Sequence, residues 1–137
     1  MNYSFKIINS SAGSGKTFKL AIEFISKLLV TEDDNHFKSM LALTFTNKAS
    51  AEMKDRILLY LLDLKENRNN VIKDIVLKKT SLDESYIIKR SGKILEKILY
   101  NYSNFNVITI DSFTNNIISS IDEPNHNEDS LVELDSD

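Results

Sequence analysis

Cysteine and tryptophan are absent from this 137-residue sequence, and proline occurs once. Without cysteine the chain can form neither disulfide bonds nor thiolate metal sites, which fits the reducing cytoplasm. Apolar runs are short, and none approaches the roughly 18 residues that a membrane-spanning helix requires. Residues 1–13, MNYSFKIINSSAG, lack the long apolar segment of a secretory signal peptide. We therefore expect a cytoplasmic protein that has no membrane partner.

Basic side chains are missing from one end of the chain. Residues 122–137 carry seven acidic side chains and neither lysine nor arginine. Residues 1–121 contain all 17 lysines and arginines and 13 acidic residues, a net charge of about +4. This weak positive charge permits contact with nucleic acid but does not by itself argue for it. The composition predicts a folded domain over residues 1–121 and an acidic, disordered tail over residues 122–137.

Short apolar runs alternate with helical patterns. Strands are predicted at residues 5–9 (FKIIN), around residues 40–43, and at residues 106–110. Amphipathic helices are predicted from Thr17, from about Lys48, from Ser81 and near Ser112. This order is typical of an α/β protein, in which helices cover a parallel sheet. Three strands make a small sheet, so we expect an incomplete α/β domain.

Local signals refine the helical segments. Residues 66–74, ENRNNVIKD, are predicted to break or kink the chain. Ser81 and Glu84 have the spacing of a capping box, in which each side chain bonds to a backbone N–H of the other residue. Gly92 is a weak point within the helix that follows, because glycine has a low helix propensity.

Residues 10–18, SSAGSGKTF, lie between the first predicted strand and the first predicted helix. They match the phosphate-binding pattern Gly-x-x-x-x-Gly-Lys-Ser/Thr, except that Ser10 stands at the first glycine. Gly13 and Gly15 permit the close backbone approach that directs successive N–H groups at one anion. The alternative is a glycine turn followed by a chance Lys-Thr pair, and the flanking strand and helix disfavour it. The predicted nucleotide-binding residues are Ser10, Ser11, Ala12, Gly13, Ser14, Gly15, Lys16 and Thr17.

Two further segments follow the second and third predicted strands: residues 43–57, LTFTNKASAEMKDRI, and residues 109–113, TIDSF. With residues 11–17, SAGSGKT, they resemble in this order the first motifs of the UvrD/RecB/AddA family of superfamily 1 DNA helicases. Within that family the similarity is closest to RecB- and AddA-like helicase–nuclease proteins. A small residue other than glycine is common there at the first loop position, so Ser10 is a minor variation.

The resemblance covers about residues 3–120 and implies a P-loop NTPase fold. The implied domain is the first part of a RecA-like ATP-binding domain, with a helical insert at about residues 66–104. The implied activity is ATP-driven movement along single-stranded DNA in repair or recombination, and a nuclease or helicase partner subunit is a further implication. The implied cofactors are ATP and Mg²⁺, with Lys16 as the catalytic residue at the β- and γ-phosphates and Thr17 as the metal ligand.

The same resemblance assigns residues that contact single-stranded DNA. These are Phe45, Thr46, Asn47, Lys48, Thr109, Ser112 and Phe113. Their placement after parallel strands agrees with this, because α/β sheets bind ligands at the carboxyl ends of their strands. The alternatives are that Phe45 and Phe113 belong to the core, and that Thr46 and Ser112 are helix N-caps. Asp111 departs from the family pattern, since much of the family has histidine at that position.

An acidic pair that would complete the ATPase site is not evident. Such enzymes need an Asp-Glu pair at a strand end to hold Mg²⁺ and to polarise water. The candidate after TIDSF is Asp122-Glu123, which follows a helical pattern and lies too early in the chain for the family. We therefore expect a helicase fragment that binds ATP–Mg²⁺ weakly and does not hydrolyse it usefully alone. The alternatives are a stand-alone nucleotide-binding or regulatory module and, less favoured, a small kinase.

Overall fold

The fold is mostly helical around a small parallel sheet, as seen in a computed structural model that describes residues 15–121. In chain order the elements are α1 (Gly15–Val30), β1 (Ala42–Thr44), α2 (Asn47–Glu66), α3 (Asn70–Thr80), α4 (Glu84–Tyr100), β2 (Val107–Thr109) and α5 over residues 110–121. Short 3-10 helices, His36–Ser39 and Tyr102–Asn104, precede the two strands. The predicted strand at residues 5–9, the loop residues 10–14 and the acidic tail lie outside the described residues.

The two described strands pair in parallel, with Ala42 opposite Val107 and Thr44 opposite Thr109. A parallel pair requires a long crossover, and the helices α2, α3 and α4 provide it. β2 lies within the run predicted at residues 106–110 and is shorter, whereas β1 overlaps the run predicted around residues 40–43 and extends one residue beyond it. The backbone of Met40 still bonds to Phe37 at the end of a 3-10 helix, so β1 begins later than predicted.

The core lies where α1, α2 and α4 meet. Each helix contributes apolar residues at intervals of three or four, so one face of each is buried. The almost fully buried side chains include Ile25, Leu28 and Leu29 of α1, Ile57, Leu61 and Leu64 of α2, and Ile87, Ile94 and Ile98 of α4. Phe24 and Phe105 meet edge to face, with ring centroids 5.8 Å apart, and so join α1 to the residues before β2.

The predicted break is confined to three residues between α2 and α3. Asn67 adopts the left-handed conformation (φ 54°) that ends a helix. Asn69 then caps α3, because its side-chain oxygen accepts a hydrogen bond of 3.2 Å from the Ile72 N–H. Residues 70–74, which were included in the predicted break, are helical.

The predicted capping box at Ser81 is wrong. Ser81 ends α3 instead of starting α4: it has a left-handed backbone (φ 57°), and its N–H donates to the Leu77 carbonyl over 2.9 Å. Asp83 is the N-cap of α4. Gly92 does not interrupt α4, and a Cβ added there would lie 3.4 Å from the Lys65 side chain of α2.

Arg90 joins α4 to the carboxyl end of α1, although only 7% of its surface is exposed. Its guanidinium donates to the Thr31 carbonyl and forms an ion pair with Asp34. Burial lowers the pKa of the Arg90 guanidinium, and the charges of Asp33 and Glu32 oppose that shift. Arginine stays protonated in proteins, so Arg90 supplies a buried positive charge where the last carbonyl groups of α1 need donors.

Among residues 15–121, no helix combines the length and hydropathy that crossing a bilayer requires.

Candidate nucleotide and nucleic-acid site

The first part of the candidate site is the start of α1. Lys16 is exposed and Thr17 is half-buried in the first helical turn. Residues 15–18, GKTF, contain no acidic side chain. The positive dipole end of α1 and the charge of Lys16 lie together in this turn, an arrangement that suits an anion. The predicted loop residues Ser10, Ser11, Ala12, Gly13 and Ser14 lie outside the described residues.

The second part is the turn between β1 and α2. Buried Thr44 ends β1, and its hydroxyl contacts the Ser50 hydroxyl and donates to the Thr46 carbonyl over 3.2 Å. The Thr46 side chain accepts a hydrogen bond of 3.0 Å from the Ala49 N–H, which confirms Thr46 as the N-cap of α2. Both neighbours of Phe45 are thus anchored, while Phe45 itself is 60% exposed. The alternative that Phe45 belongs to the core is wrong.

Asn47 and Lys48 follow this turn and are exposed in the first turn of α2. No acidic residue occurs in that turn. The dipole of α2 and the charge of Lys48 therefore favour a negatively charged ligand beside Phe45.

The third part is the turn between β2 and α5. Thr109 is 7% exposed, and its hydroxyl accepts a hydrogen bond from the Ser112 N–H (3.1 Å) and donates to the Ser112 hydroxyl (2.9 Å). Thr109 is therefore the residue that caps α5, and the alternative that Ser112 is the N-cap is wrong. Phe113 is half-buried on α5, and Asp111 is exposed.

The sheet register brings the second and third parts together. Because Thr44 is paired with Thr109, both turns lie at the carboxyl edge of the sheet. A pocket of about 310 Å³ lies between α2 and β2, and the predicted residues Asn47, Thr109 and Ser112 line it. The predicted residues Phe45, Thr46, Lys48 and Phe113 lie outside its lining.

Seven residues that were not predicted also line this pocket, and the polar ones among them are Ser50, Lys54, Asp55 and Tyr102. The Lys54 ammonium lies 5.2 Å from the centroid of the Tyr102 ring, within the range of a cation–π contact. Lys54 is seven positions after Asn47, which places it on the same face of α2, so helical spacing gives a signal for it. Tyr102 lies in the 3-10 helix before β2, and the fold brings it next to Lys54 of α2. No local sequence pattern predicts this contact.

Polar turns at the carboxyl edge of a parallel sheet are typical of ligand-binding α/β proteins. Residues 4–134 match the sequence profile of the UvrD/REP helicase N-terminal domain. Because the match includes almost the whole chain, this chain belongs to that family, and the resemblance predicted from the three motifs is confirmed.

Individual relatives agree with this assignment. An ATP-dependent helicase/nuclease subunit of Clostridium botulinum (strain Okra) is 32% identical over 114 residues, which cover 83% of this chain and 7% of the relative. The RecBCD enzyme subunit RecB of Buchnera aphidicola is 29% identical over 126 aligned residues, 82% of this chain and 10% of the relative. The corresponding helicase/nuclease protein of Natranaerobius thermophilus is 45% identical over 56 residues, 41% of this chain and 4% of the relative. The chain thus spans a tenth or less of the length of these relatives, and no solved structure gives a significant match.

Proposed function

We propose that this chain is part of the RecA-like, P-loop motor domain of an ATP-dependent DNA helicase. In this proposal the start of α1 binds ATP–Mg²⁺, and the carboxyl edge of the sheet contacts single-stranded DNA. The observation that carries the proposal is the pairing of Thr44 with Thr109, because it brings two predicted DNA-contacting segments to one edge.

The nucleotide part of the proposal uses the residues at the start of α1. Lys16 supplies a positive charge to the β- and γ-phosphates, and the hydroxyl of Thr17 is a suitable oxygen ligand for Mg²⁺. The backbone N–H groups of residues 10–15 complete the phosphate contacts in this proposal. Mg²⁺, when bound, would neutralise charge on the phosphate oxygens.

The DNA part of the proposal uses the two anchored turns. Phe45 presents an aromatic face between Thr44 and Thr46, whose own hydrogen bonds fix the turn. A base that stacks on such a face contributes about 1–3 kcal/mol to binding. The first turn of α2, with Asn47 and Lys48, suits the neighbouring phosphate groups. Phe113, at the start of α5, offers a second apolar surface at the same edge.

Binding of a fluorescent oligo(dT) strand, followed by anisotropy, tests the DNA part. The Phe45→Ala variant should bind at least about fivefold more weakly, since it loses one stacked base. Tyr86→Ala is the matched control, because Tyr86 is also an exposed aromatic residue but lies in the first turn of α4. Equal affinities for wild type and Phe45→Ala, or an equal loss in Tyr86→Ala, would contradict the proposed surface.

Binding of ATP–Mg²⁺ tests the nucleotide part. Lys16→Ala should weaken binding at least about tenfold, because charged hydrogen bonds to phosphate contribute about 1.5–3 kcal/mol. Lys89→Ala removes the same charge from the exposed surface of α4 and should leave the affinity unchanged. If both variants bind ATP as the wild type does, Lys16 is not at the phosphate site.

The names of the relatives support a further part of the proposal, namely that this protein acts together with a partner subunit. Both the helicase/nuclease proteins and RecB are named as subunits. We therefore include in the proposal a role in DNA repair or recombination and a nuclease or helicase partner subunit. The coding sequence downstream of this chain offers a direct test, because an Asp-Glu-x-Gln segment there, in any frame, would supply the acidic pair of a complete motor. Its absence would favour a stand-alone nucleotide-binding module.

A further inference from the structure

Helix α4 carries a row of lysines on its exposed face. Lys89, Lys93 and Lys97, which we call the lysine row, are all exposed. Intervals of four residues put them on one face of the helix, about 6 Å apart along its axis. Tyr86 and Tyr100, 38% and 80% exposed, lie on the same face at the two ends of the row. None of these residues lines the pocket at the edge of the sheet, so the row is not part of the site described above.

The ammonium groups of the lysine row have no acidic partner. Within the described part of the chain, no ion pair or hydrogen bond joins any of the three to a carboxylate. Glu84, the acidic residue in the first turn of α4, is instead paired with Lys73 of α3 over 2.8 Å. The free charge of α4 is therefore concentrated in the lysine row.

One acidic side chain lies at the margin of the row. Glu96 is exposed, and the helical repeat places it about 60° around α4 from Lys93. Lys65 of α2 crosses α4 one turn earlier, since a Cβ added at Gly92 would lie 3.4 Å from its Cγ and 3.7 Å from its Cε. The charge of Lys65 therefore offsets that of Glu96, and the surface keeps an excess of positive charge.

This arrangement is unfavourable for the helix itself. Lys89 with Lys93, and Lys93 with Lys97, are like charges at positions i and i+4, which destabilise a helix. A face that contacts only solvent gains stability from acidic and basic residues that alternate at this spacing. Unpaired lysines clustered along one helix are instead typical of a surface that binds nucleic acid.

We propose that the lysine row of α4 binds the phosphate backbone of double-stranded DNA, in addition to the proposed single-strand contacts at the edge of the sheet. The row spans about 12 Å, which corresponds to about three to four nucleotides of one strand at about 3.4 Å each. A duplex presents one phosphate charge per about 1.7 Å of its axis, twice the density of one strand. Lysine side chains and tyrosine hydroxyls both contact phosphate oxygens, and such contacts do not read the base sequence. Binding should therefore be independent of sequence.

The distribution of aromatic rings favours a duplex over a single strand. Proteins that bind single strands stack successive bases on aromatic side chains. The exposed rings on this face, Tyr86 and Tyr100, are about 21 Å apart along α4, and the residues between them on this face are lysines. The inference uses other residues than the proposed function does, so either can fail without the other.

Anisotropy of a blunt-ended fluorescent duplex, titrated with the full chain at several salt concentrations, tests the inference. A triple variant with Lys89→Gln, Lys93→Gln and Lys97→Gln should reduce the steepness of log Kobs against log[salt] by about 3, since each phosphate contact contributes about 0.9. Its duplex affinity at low salt should fall at least about tenfold, while its oligo(dT) affinity should stay within about threefold of wild type.

A charge reversal separates a role in binding from a role in folding. Lys93→Glu creates opposite charges at i−4 and i+4, so its melting temperature should equal or exceed that of the wild type. Its duplex affinity should nevertheless fall at least about fivefold. Lys78→Glu makes the same charge change at an exposed position of α3 and is the matched control, which should keep its duplex affinity within about twofold of wild type.

The outcomes also separate this inference from the proposed function. Absence of duplex binding by the wild type at low salt, an unchanged salt dependence in the triple variant, or an equal loss in Lys78→Glu would overturn the assignment. Displacement of the duplex by polyglutamate at the same charge concentration would show that the row binds acidic polypeptide, and would also overturn it. Phe45→Ala, which tests the single-strand contacts, should leave duplex affinity unchanged. An equal loss of duplex and oligo(dT) binding in the triple variant would contradict two separate surfaces.

Discussion

Hydrogen bonds of threonine hydroxyl groups fix the two turns of the candidate site and so determine which neighbouring side chains are exposed there. Thr44 is buried against Ser50, while Thr46 and Thr109 cap the helices that follow the two strands. The sequence predicted polar turns here, and it offered two interpretations of Phe45. Phe45 is exposed because the side chains of Thr44 and Thr46, on either side of it, are held by hydrogen bonds. The contact between Thr44 and Ser50 has no recognisable signal in the local sequence, so the sequence alone could not decide between the two interpretations. The sequence also offered Ser112 as an alternative N-cap of α5, but the helix begins directly after β2, so Thr109 holds that position.

Arg90 is the buried charge whose loss should be most costly. It donates to the carbonyl oxygens of Leu28 (3.3 Å) and Thr31 and pairs with Asp34. Arg90→Ala would leave these carbonyls and the carboxylate without their donor, so we expect a loss of about 3 kcal/mol in the free energy of unfolding.

Denaturation in guanidinium chloride measures this loss. Arg90→Lys should recover only part of it, since an ammonium group cannot reproduce the planar fork of donors. Asp34→Asn should cost less than Arg90→Ala, because the Asp34 side chain is 30% exposed and the carbonyl contacts remain. A change below about 0.5 kcal/mol in Arg90→Ala would show that Arg90 behaves as a surface residue.

At the scale of elements, periodicity was enough to predict α1, α2, α4 and both described strands. Their apolar residues follow the helical or extended repeat, and burial follows that pattern. The boundaries between α2, α3 and α4 were less predictable. Ser81 with Glu84 has the spacing of a capping box, but the left-handed backbone of Ser81 follows from the end of α3, which the sequence did not delimit.

The Ser81→Gly substitution distinguishes the two roles of this residue. In the left-handed conformation (φ 57°) a side chain is strained, and glycine removes that strain. We expect Ser81→Gly to stabilise the fold by about 0.5 kcal/mol and Ser81→Ala to give no gain. Thermal unfolding followed by circular dichroism measures both. If Ser81 capped α4 instead, both substitutions would lower the melting temperature.

Gly92 offers a second stabilising change within an element. It lies in the interior of α4, and an added Cβ would meet the Lys65 side chain at 3.4 Å, an ordinary contact with a flexible group. Gly92→Ala should therefore stabilise the fold by about 0.5–1 kcal/mol through its higher helix propensity. Urea denaturation measures the gain. Destabilisation would mean that α2 and α4 approach more closely than this contact indicates.

At the scale of the whole molecule, topology was more predictable than the surfaces that it creates. Alternating strands and helices predicted a parallel sheet, and the parallel pairing of β1 and β2 follows that expectation. That pairing also explains why two motifs far apart in the sequence share one edge. The contact of Phe18 with Tyr60 and the position of Tyr102 beside Lys54 depend on how the helices pack, and no sequence pattern links the two residues of either pair.

In the proposed function, this edge of the sheet contacts single-stranded DNA. Photocrosslinking to a strand that contains 5-bromodeoxyuridine, followed by tryptic mass spectrometry, tests it most directly. We predict crosslinks at Phe45, in the peptide of residues 39–48, and at Phe113, and we expect the Phe45 crosslink to disappear in Phe45→Ala. Crosslinks confined to α3 and α4, with none in residues 39–48, would contradict the account.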